Sequence, residues 1–230
     1  VPVVDLLTGS KKSTQEVVMY LIKFDLDGTL MNSSSFQNDL FSKAIQEIIK
    51  QPIDTDWTKF KHVTDSGILD EVIDRNGLEA DRQNIHHEVK SIFTNKVKLH
   101  ISQNPVKEVA GASAFFDLLK QRDDIVCAIA TGGWEETAKL KLESAGIDFS
   151  GASFESASDD VSRTGIMRLA EKKCSVNKFT SKTYFGDAIW DQKASQELGY
   201  NFVLVGNKIN YSRQVMDYTK SSQTLKLIGL

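Results

Sequence analysis

The sequence predicts an α/β fold in which a parallel sheet is interrupted near its beginning by an all-helical insertion. Three observations carry this. Short apolar runs at Leu21–Phe24, Ile125–Ala130 and Thr183–Phe185 each stop at a loop rich in Asp, Gly or Thr and hand over to a helical pattern. Residues 33–104 show helical periodicity with no strand signal, whereas the sequence on either side alternates strands and helices. The 230 residues, 40% hydrophobic and 26% charged, are enough for one ordinary domain with a substantial insert.

The first strand is the run ending at Phe24. Asp27-Gly28 just beyond it is also a hairpin signal, but Met31-Asn-Ser-Ser-Ser35 offers no alternating apolar partner strand. Ser34-Ser-Phe-Gln37 fits a capping box, and Phe36, Leu40, Phe41, Ala44, Ile45, Ile48 and Ile49 follow at helical spacing up to Pro52. A short piece around Trp57 and Phe60 precedes a helix over 66–76. His62 to Gly67 leads into that helix, with Thr64 or Asp65 as its N-cap or as a substrate contact. A longer helix over 79–100 completes the block. Beyond Pro105, Ala112 to Leu119 reads as a helix and Ile125–Ala130 as a central parallel strand. A helix ends at Gly146, and a strand is expected near 149–154. Phe202–Val205 reads as the final core strand, followed by a polar tail with an apolar patch at 225–230. The domains expected are therefore a core of 19–32 with 105–230 and a helical domain of 33–104. Residues 1–18 form an extension of unclear role.

Composition narrows the function. A net charge of −3 with dispersed Lys and Arg gives no footprint for nucleic acid, and no apolar run approaches the ~20 residues that cross a bilayer. The first residues have no basic head and their short apolar piece is broken by Asp5, so a secretory signal is not expected and a cytoplasmic location is. Cys127 and Cys174 form no Cys-x-x-Cys and read as incidental thiols. A dinucleotide enzyme would want Gly-x-Gly-x-x-Gly after a strand, and the sequence has none.

The chemistry gathers at the strand ends. Asp25 and Asp27 bring two carboxylates to one small site, where they repel unless a cation or proton sits between them. Magnesium suits them, taking hard oxygen ligands while leaving room for a phosphate. Thr131-Gly132-Gly133 lies between a strand and a helix start, a geometry in which backbone N–H groups bind phosphate. Asp187 and Asp191 are four apart at a helix start and so share a face.

Asp25-x-Asp27-Gly28-Thr29 resembles the first motif of the haloacid dehalogenase superfamily of phosphohydrolases, in particular its phosphoglycolate phosphatase-like and β-phosphoglucomutase-like members with a helical cap. Thr131 matches the second motif and Gly186-Asp187-x-x-x-Asp191 the fourth. The third motif is normally a lysine; here Arg163, 23 positions ahead of Gly186, stands in its place, with Lys172, Lys173, Lys178 and Lys182 as other candidates. The resemblance implies a doubly wound, Rossmann-like parallel sheet with ligands at the C-terminal ends of its strands. It also implies that residues 33–104 are a cap that selects substrate, that Asp25 is the nucleophile and that Asp27 is the general acid and base. Thr131, Gly132 and Arg163 would hold the phosphate. Magnesium would bind a carboxylate oxygen of Asp25, the backbone carbonyl of Asp27, Asp187 and Asp191. The activity expected is a magnesium-dependent phosphatase acting on a small phosphorylated metabolite, with a phosphomutase or a non-catalytic binding protein of the same fold as alternatives. A dehalogenase is disfavoured because the family's dehalogenases lack the second Asp. The oligomeric state is left open.

Overall fold

The computed structural model describes residues 18–176 and 178–230, so the N-terminal extension lies outside the described residues apart from Val18. Six strands form one parallel sheet: β1 (Tyr20–Phe24), β2 (Ile125–Ala130), β3 (Ser153–Glu155), β4 (Ser181–Gly186), β5 (Asn201–Val205) and β6 (Gln214–Val215). Their order is β3-β2-β1-β4-β5-β6. The chain starts in the middle of the sheet, builds one half outward and then returns to build the other. The crevice between β1 and β4 is therefore the switch point where doubly wound sheets bind ligands. Register fixes what meets there: Phe24 lies beside Ile129 of β2 and Phe185 of β4, so Asp25, Thr131 and Asp187 emerge on the same edge.

β1 reads as a continuous apolar run because both its faces are covered. Ile22 and Phe24 pack with Phe115 and Phe116 of α4 (Ala112–Lys120) and with Ala138 and Leu142 of α5 (Glu135–Ala145). Leu21 packs on the opposite side with Ile166, Met167 and Ala170 of α6 (Arg163–Lys172) and Ala194 of α7 (Ile189–Leu198). Phe24 stacks on Phe185 at 4.9 Å between ring centroids and meets Phe116 edge-on at 5.4 Å. Burial of such a ring stabilises by about 1.5–3 kcal/mol, which anchors the residue directly ahead of Asp25. Lys23 also points into this interior. Its ammonium donates to the Met167 carbonyl at 2.5 Å and the Tyr200 hydroxyl at 2.9 Å, and burial lowers its pKa to about 8.

The insertion comprises α1 (Ser34–Ile49), α2 (Asp65–Arg75) and α3 (Arg82–Gln103), with 3₁₀ turns at Trp57–Lys59 and Glu79–Asp81. Phe41, Ile45, Leu69, Ile73, Val89, Phe93 and Val97 form its apolar cluster, which does not close on itself but takes in Trp134 and Ala157 of the sheet domain. Trp134 is the joint: its ring meets Phe41 and Phe93, and its indole N–H donates to Ser66 Oγ at 2.7 Å.

Three expectations are corrected. The strand expected near 149–154 is only Ser153–Glu155, because Phe149–Gly151 belong to a turn in which Gly151 has a positive φ. The sheet does not end at Val205, since β6 adds a two-residue strand, too short to carry periodicity, and the tail forms α8 (Ser221–Leu227). The capping box does not form. Ser33 is the N-cap with no side-chain cap bond, and the Gln37 side chain is engaged elsewhere.

Candidate active site

The site is assembled from four strand ends and the facing edge of the helical block. Asp25 follows β1 directly and is 4% exposed. Gly28, at φ 85°, turns the chain away; a Cβ there would collide with the Asp187 carboxylate, so only glycine permits the approach. Asp187 leaves β4, and Asp191 lies in the first turn of α7, where its Oδ2 accepts from the N–H groups of Asp187 at 3.2 Å and Ala188 at 3.1 Å. Asp187 itself lies ahead of the helix, so the loop and not a shared helical face brings the two together. Asp25, Asp187 and Asp191 each offer a carboxylate oxygen within 4.8 Å of the others, all buried.

Two cations stand among these acids. Arg163, the first residue of α6, places Nη1 3.1 Å from Asp25 Oδ1 and 2.9 Å from Asp191 Oδ1, and its Nη2 donates to the Val63 carbonyl at 3.1 Å. A Cβ on Gly132 would collide with that guanidinium, so the glycine makes room for Arg163. Lys173 and Lys182, considered for the same place, pair instead with Glu155 and Glu171, while Lys172 and Lys178 are exposed. Lys208, in the loop after β5, pairs with Asp187 Oδ2 and reaches Ser34 Oγ at 3.3 Å.

Electrostatics follow from this crowding. Burial raises the pKa of Asp25, with Arg163 opposing and Asp27 adding to the rise. Burial likewise pushes Asp187 up to about 6, reinforced by Asp25 and countered by Lys208. Asp191 lies well above the usual carboxylate range, again mainly through burial. Such a triad is short of positive charge. Asp191 Oδ1, although near Arg163, accepts no well-directed hydrogen bond among the described residues. A buried all-oxygen donor set with an orphaned carboxylate oxygen fits a hard divalent cation such as magnesium.

Asp27 lives differently. Its carboxylate stands outside the triad and receives the Lys141 ammonium at 2.6 Å on both oxygens, with Ser33 Oγ donating to Oδ1 at 2.5 Å. Its side chain is therefore not a member of the carboxylate cluster, and only its backbone carbonyl is left to serve as a ligand. Thr131, 1% exposed, accepts the Gly133 N–H on its hydroxyl at 3.2 Å, and the Gly132 carbonyl accepts from the Asp65 N–H at 2.7 Å. Thr64 caps α2 by accepting the Gly67 N–H at 3.0 Å. Asp65, pushed up to about 7 by burial, accepts the Trp134 N–H at 2.8 Å.

A cavity of about 120 Å³ joins these groups. Asp25, Asp27, Thr131, Gly132, Arg163 and Asp187 line it together with Asn38, Phe41, Trp57 and Ile68 of the helical block and Trp190 of α7. Lys141, Lys208, Ser33 and the site-facing role of Gln37 were not anticipated. Lys141 did leave a trace, because it falls on the inward stripe of α5 with Ala138, Leu142 and Ala145, where a lysine is out of place. Lys208 stands in a polar loop and left none.

The family model for haloacid dehalogenase-like hydrolases matches residues 22–205, and the chain belongs to that family. A sequence search of curated proteins finds no match. Among solved structures, a β-phosphoglucomutase from Clostridium difficile superposes with a TM-score of 0.70 at 16% identity, over 92% of this chain and 97% of the other. CbbY from Rhodobacter sphaeroides, in complex with phosphate, gives 0.69 at 13% identity over 93% and 100%. A hydrolase from Pseudomonas syringae gives 0.63 at 22% identity over 82% and 84%. At these identities the likeness is one of fold.

Proposed function

We propose that the protein is a magnesium-dependent phosphatase that hydrolyses a small phosphate monoester through an aspartyl phosphate on Asp25. The observation that carries this is the separation of the two aspartates of one turn: Asp25 lies among carboxylates and a guanidinium, Asp27 on an ammonium and a hydroxyl. Asp25 attacks phosphorus, the ester oxygen leaves with a proton from Asp27, and water then attacks phosphorus as Asp27 takes the proton back. Inorganic phosphate departs and the Asp25 carboxylate is restored. Thr131, the Gly132 N–H and Arg163 hold the transferring oxygens, whose charge grows in the transition state. Carboxylate oxygens of Asp25, Asp187 and Asp191 and the carbonyl of Asp27 would hold magnesium, which when bound offsets the repulsion between nucleophile and phosphate.

The helical block, residues 33–104, acts as a cap over a core of 19–32 and 105–230, and its aromatic wall selects the leaving group. The cavity favours hydrolysis over phosphoryl transfer to a second sugar phosphate. Its cationic linings among the described residues are Arg163 and Lys208, and both already face carboxylates. A second phosphate would stand uncompensated beside Asp65. The test is a panel of phosphorylated metabolites and an aryl phosphate, assayed with magnesium, with exhaustive chelation and with Asp25→Asn. Turnover that requires both the metal and Asp25 is the expected result; turnover that survives chelation or the substitution refutes the reading.

A further inference from the structure

The most unusual side chain near the site is Lys141. It is fully buried within α5, on a face whose other buried residues are the uncharged Thr137, Ala138 and Leu142. Taking an ammonium out of water costs several kcal/mol, and an aliphatic residue would fill the same place without that cost. Its three donors meet three acceptors: Asp27 Oδ1 and Oδ2 at 2.6 Å each and Gln37 Oε1 at 2.7 Å.

We infer that Lys141 is a positioning residue that fixes the Asp27 carboxylate for proton transfer, and that Gln37 makes this depend on the seating of the helical block. The inference rests on the phosphatase reading, in which Asp27 is the acid and base. Lys141 bridges both carboxylate oxygens and so stops rotation of the group, while Ser33 engages Oδ1 alone. Oδ2 is left as the less engaged oxygen. It faces Gly133, where an added Cβ would come into ordinary contact with it at 3.7 Å, so this oxygen is turned toward the phosphate loop. The ammonium is in turn held by the insert. Gln37 comes from α1, and its Nε2 lies 3.4 Å from Asp65 Oδ1 at the start of α2. Asp65 is itself pinned to the phosphate loop, its Oδ2 accepting from the Trp134 N–H and its backbone N–H donating to the Gly132 carbonyl. Withdrawal of the helical block removes one of the three acceptors of Lys141, so the proton-transfer group is fully fixed only when the block is seated.

The prediction separates positioning from mere structure through the leaving group. A dinitrophenolate leaves without a proton, whereas an alkoxide needs one. Lys141→Met should lower turnover of a simple alkyl phosphate by ~10²-fold, within the range that acid–base groups supply. The burst of dinitrophenolate in the first turnover should stay within about threefold of wild type. Gln37→Leu should show the same pattern at roughly tenfold or less, which keeps the test open should Lys141→Met fail to fold. Addition of Lys141→Met to Asp27→Asn should cost nothing further. Equal losses for both esters, an additive loss in the double variant, or unchanged alkyl phosphate turnover in both single variants would overturn the positioning role. A wild-type rate in Asp27→Asn, or no ester turned over by the wild type, would instead overturn the phosphatase reading itself and this inference with it.

Discussion

Asp25 and Asp27 stand two residues apart, yet one side of the first loop gathers acid and the other gathers donors. On the Asp25 side, three buried carboxylates share Arg163 and Lys208 and burial drives their pKa values upward. On the Asp27 side, one carboxylate has an ammonium and a hydroxyl to itself. The same residue type thus suits two roles. A nucleophile for phosphorus must tolerate an incoming dianion, which needs cations and a metal site around it. A proton carrier must be held at a fixed distance, here with one oxygen less engaged than the other. In the proposed mechanism, geometry in the loop, and not residue type, divides the labour.

The largest break in that comparison comes from the carboxylates themselves. Asp25→Asn should reduce phosphatase turnover by ~10⁴ or more, as loss of a nucleophile does, whereas Asp27→Asn should slow it by about 10² to 10⁴ and leave the first-turnover burst with a good leaving group. Steady-state and burst rates for the two variants check this. Equal effects on both phases in both variants would erase the distinction.

Arg163 sharpens the Asp25 side. Its guanidinium is the buried cation nearest both Asp25 and Asp191, so Arg163→Ala should lower kcat by ~10² to 10³, and Arg163→Lys should recover part of it. The recovery should be partial, because a lysine cannot span Asp25, Asp191 and the Val63 carbonyl at once. A silent Arg163→Ala beside an inactive Lys178→Ala would move the role.

A smaller effect, on stability, concerns the seam between block and core. Burial raises Asp65 to about 7, so the folded chain keeps that proton over a range in which the unfolded chain has lost it. The folded state is therefore favoured at low pH and loses this contribution as pH rises from about 4 through 7. Asp65→Asn, which keeps an acceptor for the Trp134 N–H, should flatten the dependence and raise Tm at pH 8 relative to wild type. Thermal melts of both proteins between pH 5 and 8 provide the check, and a steeper fall in the variant would contradict it.

Much of the frame was legible because it rests on local signals. The bounds of β2 could be read from an unbroken apolar run, and Asp25, Thr131 and Asp187 could be placed at strand ends because each follows such a run. The start of α6 at Arg163 was also legible, since the Ile166 and Ala170 face opens just beyond it. What escaped was what depends on distant partners. Lys141 and Asp27 are 114 positions apart, and a helical lysine is by default a solvated one. Ser34 and Gln37 have the residue types of a capping box, but Gln37 gains more from a buried ammonium than from a backbone N–H that water can satisfy. Lys208 could not be found because its loop reaches the site only after β5 and β6 have paired.

The division of roles is tested most directly by locating the covalent phosphoryl group. Asp27→Asn, mixed with magnesium and dinitrophenyl phosphate and quenched in acid, should accumulate phosphoryl enzyme, since its formation needs no proton from residue 27 while its hydrolysis needs a base there. Peptide mapping by mass spectrometry should place the group on Asp25. A phosphoryl group on another residue, or stoichiometric release of dinitrophenolate with no phosphorylated peptide, would contradict the account.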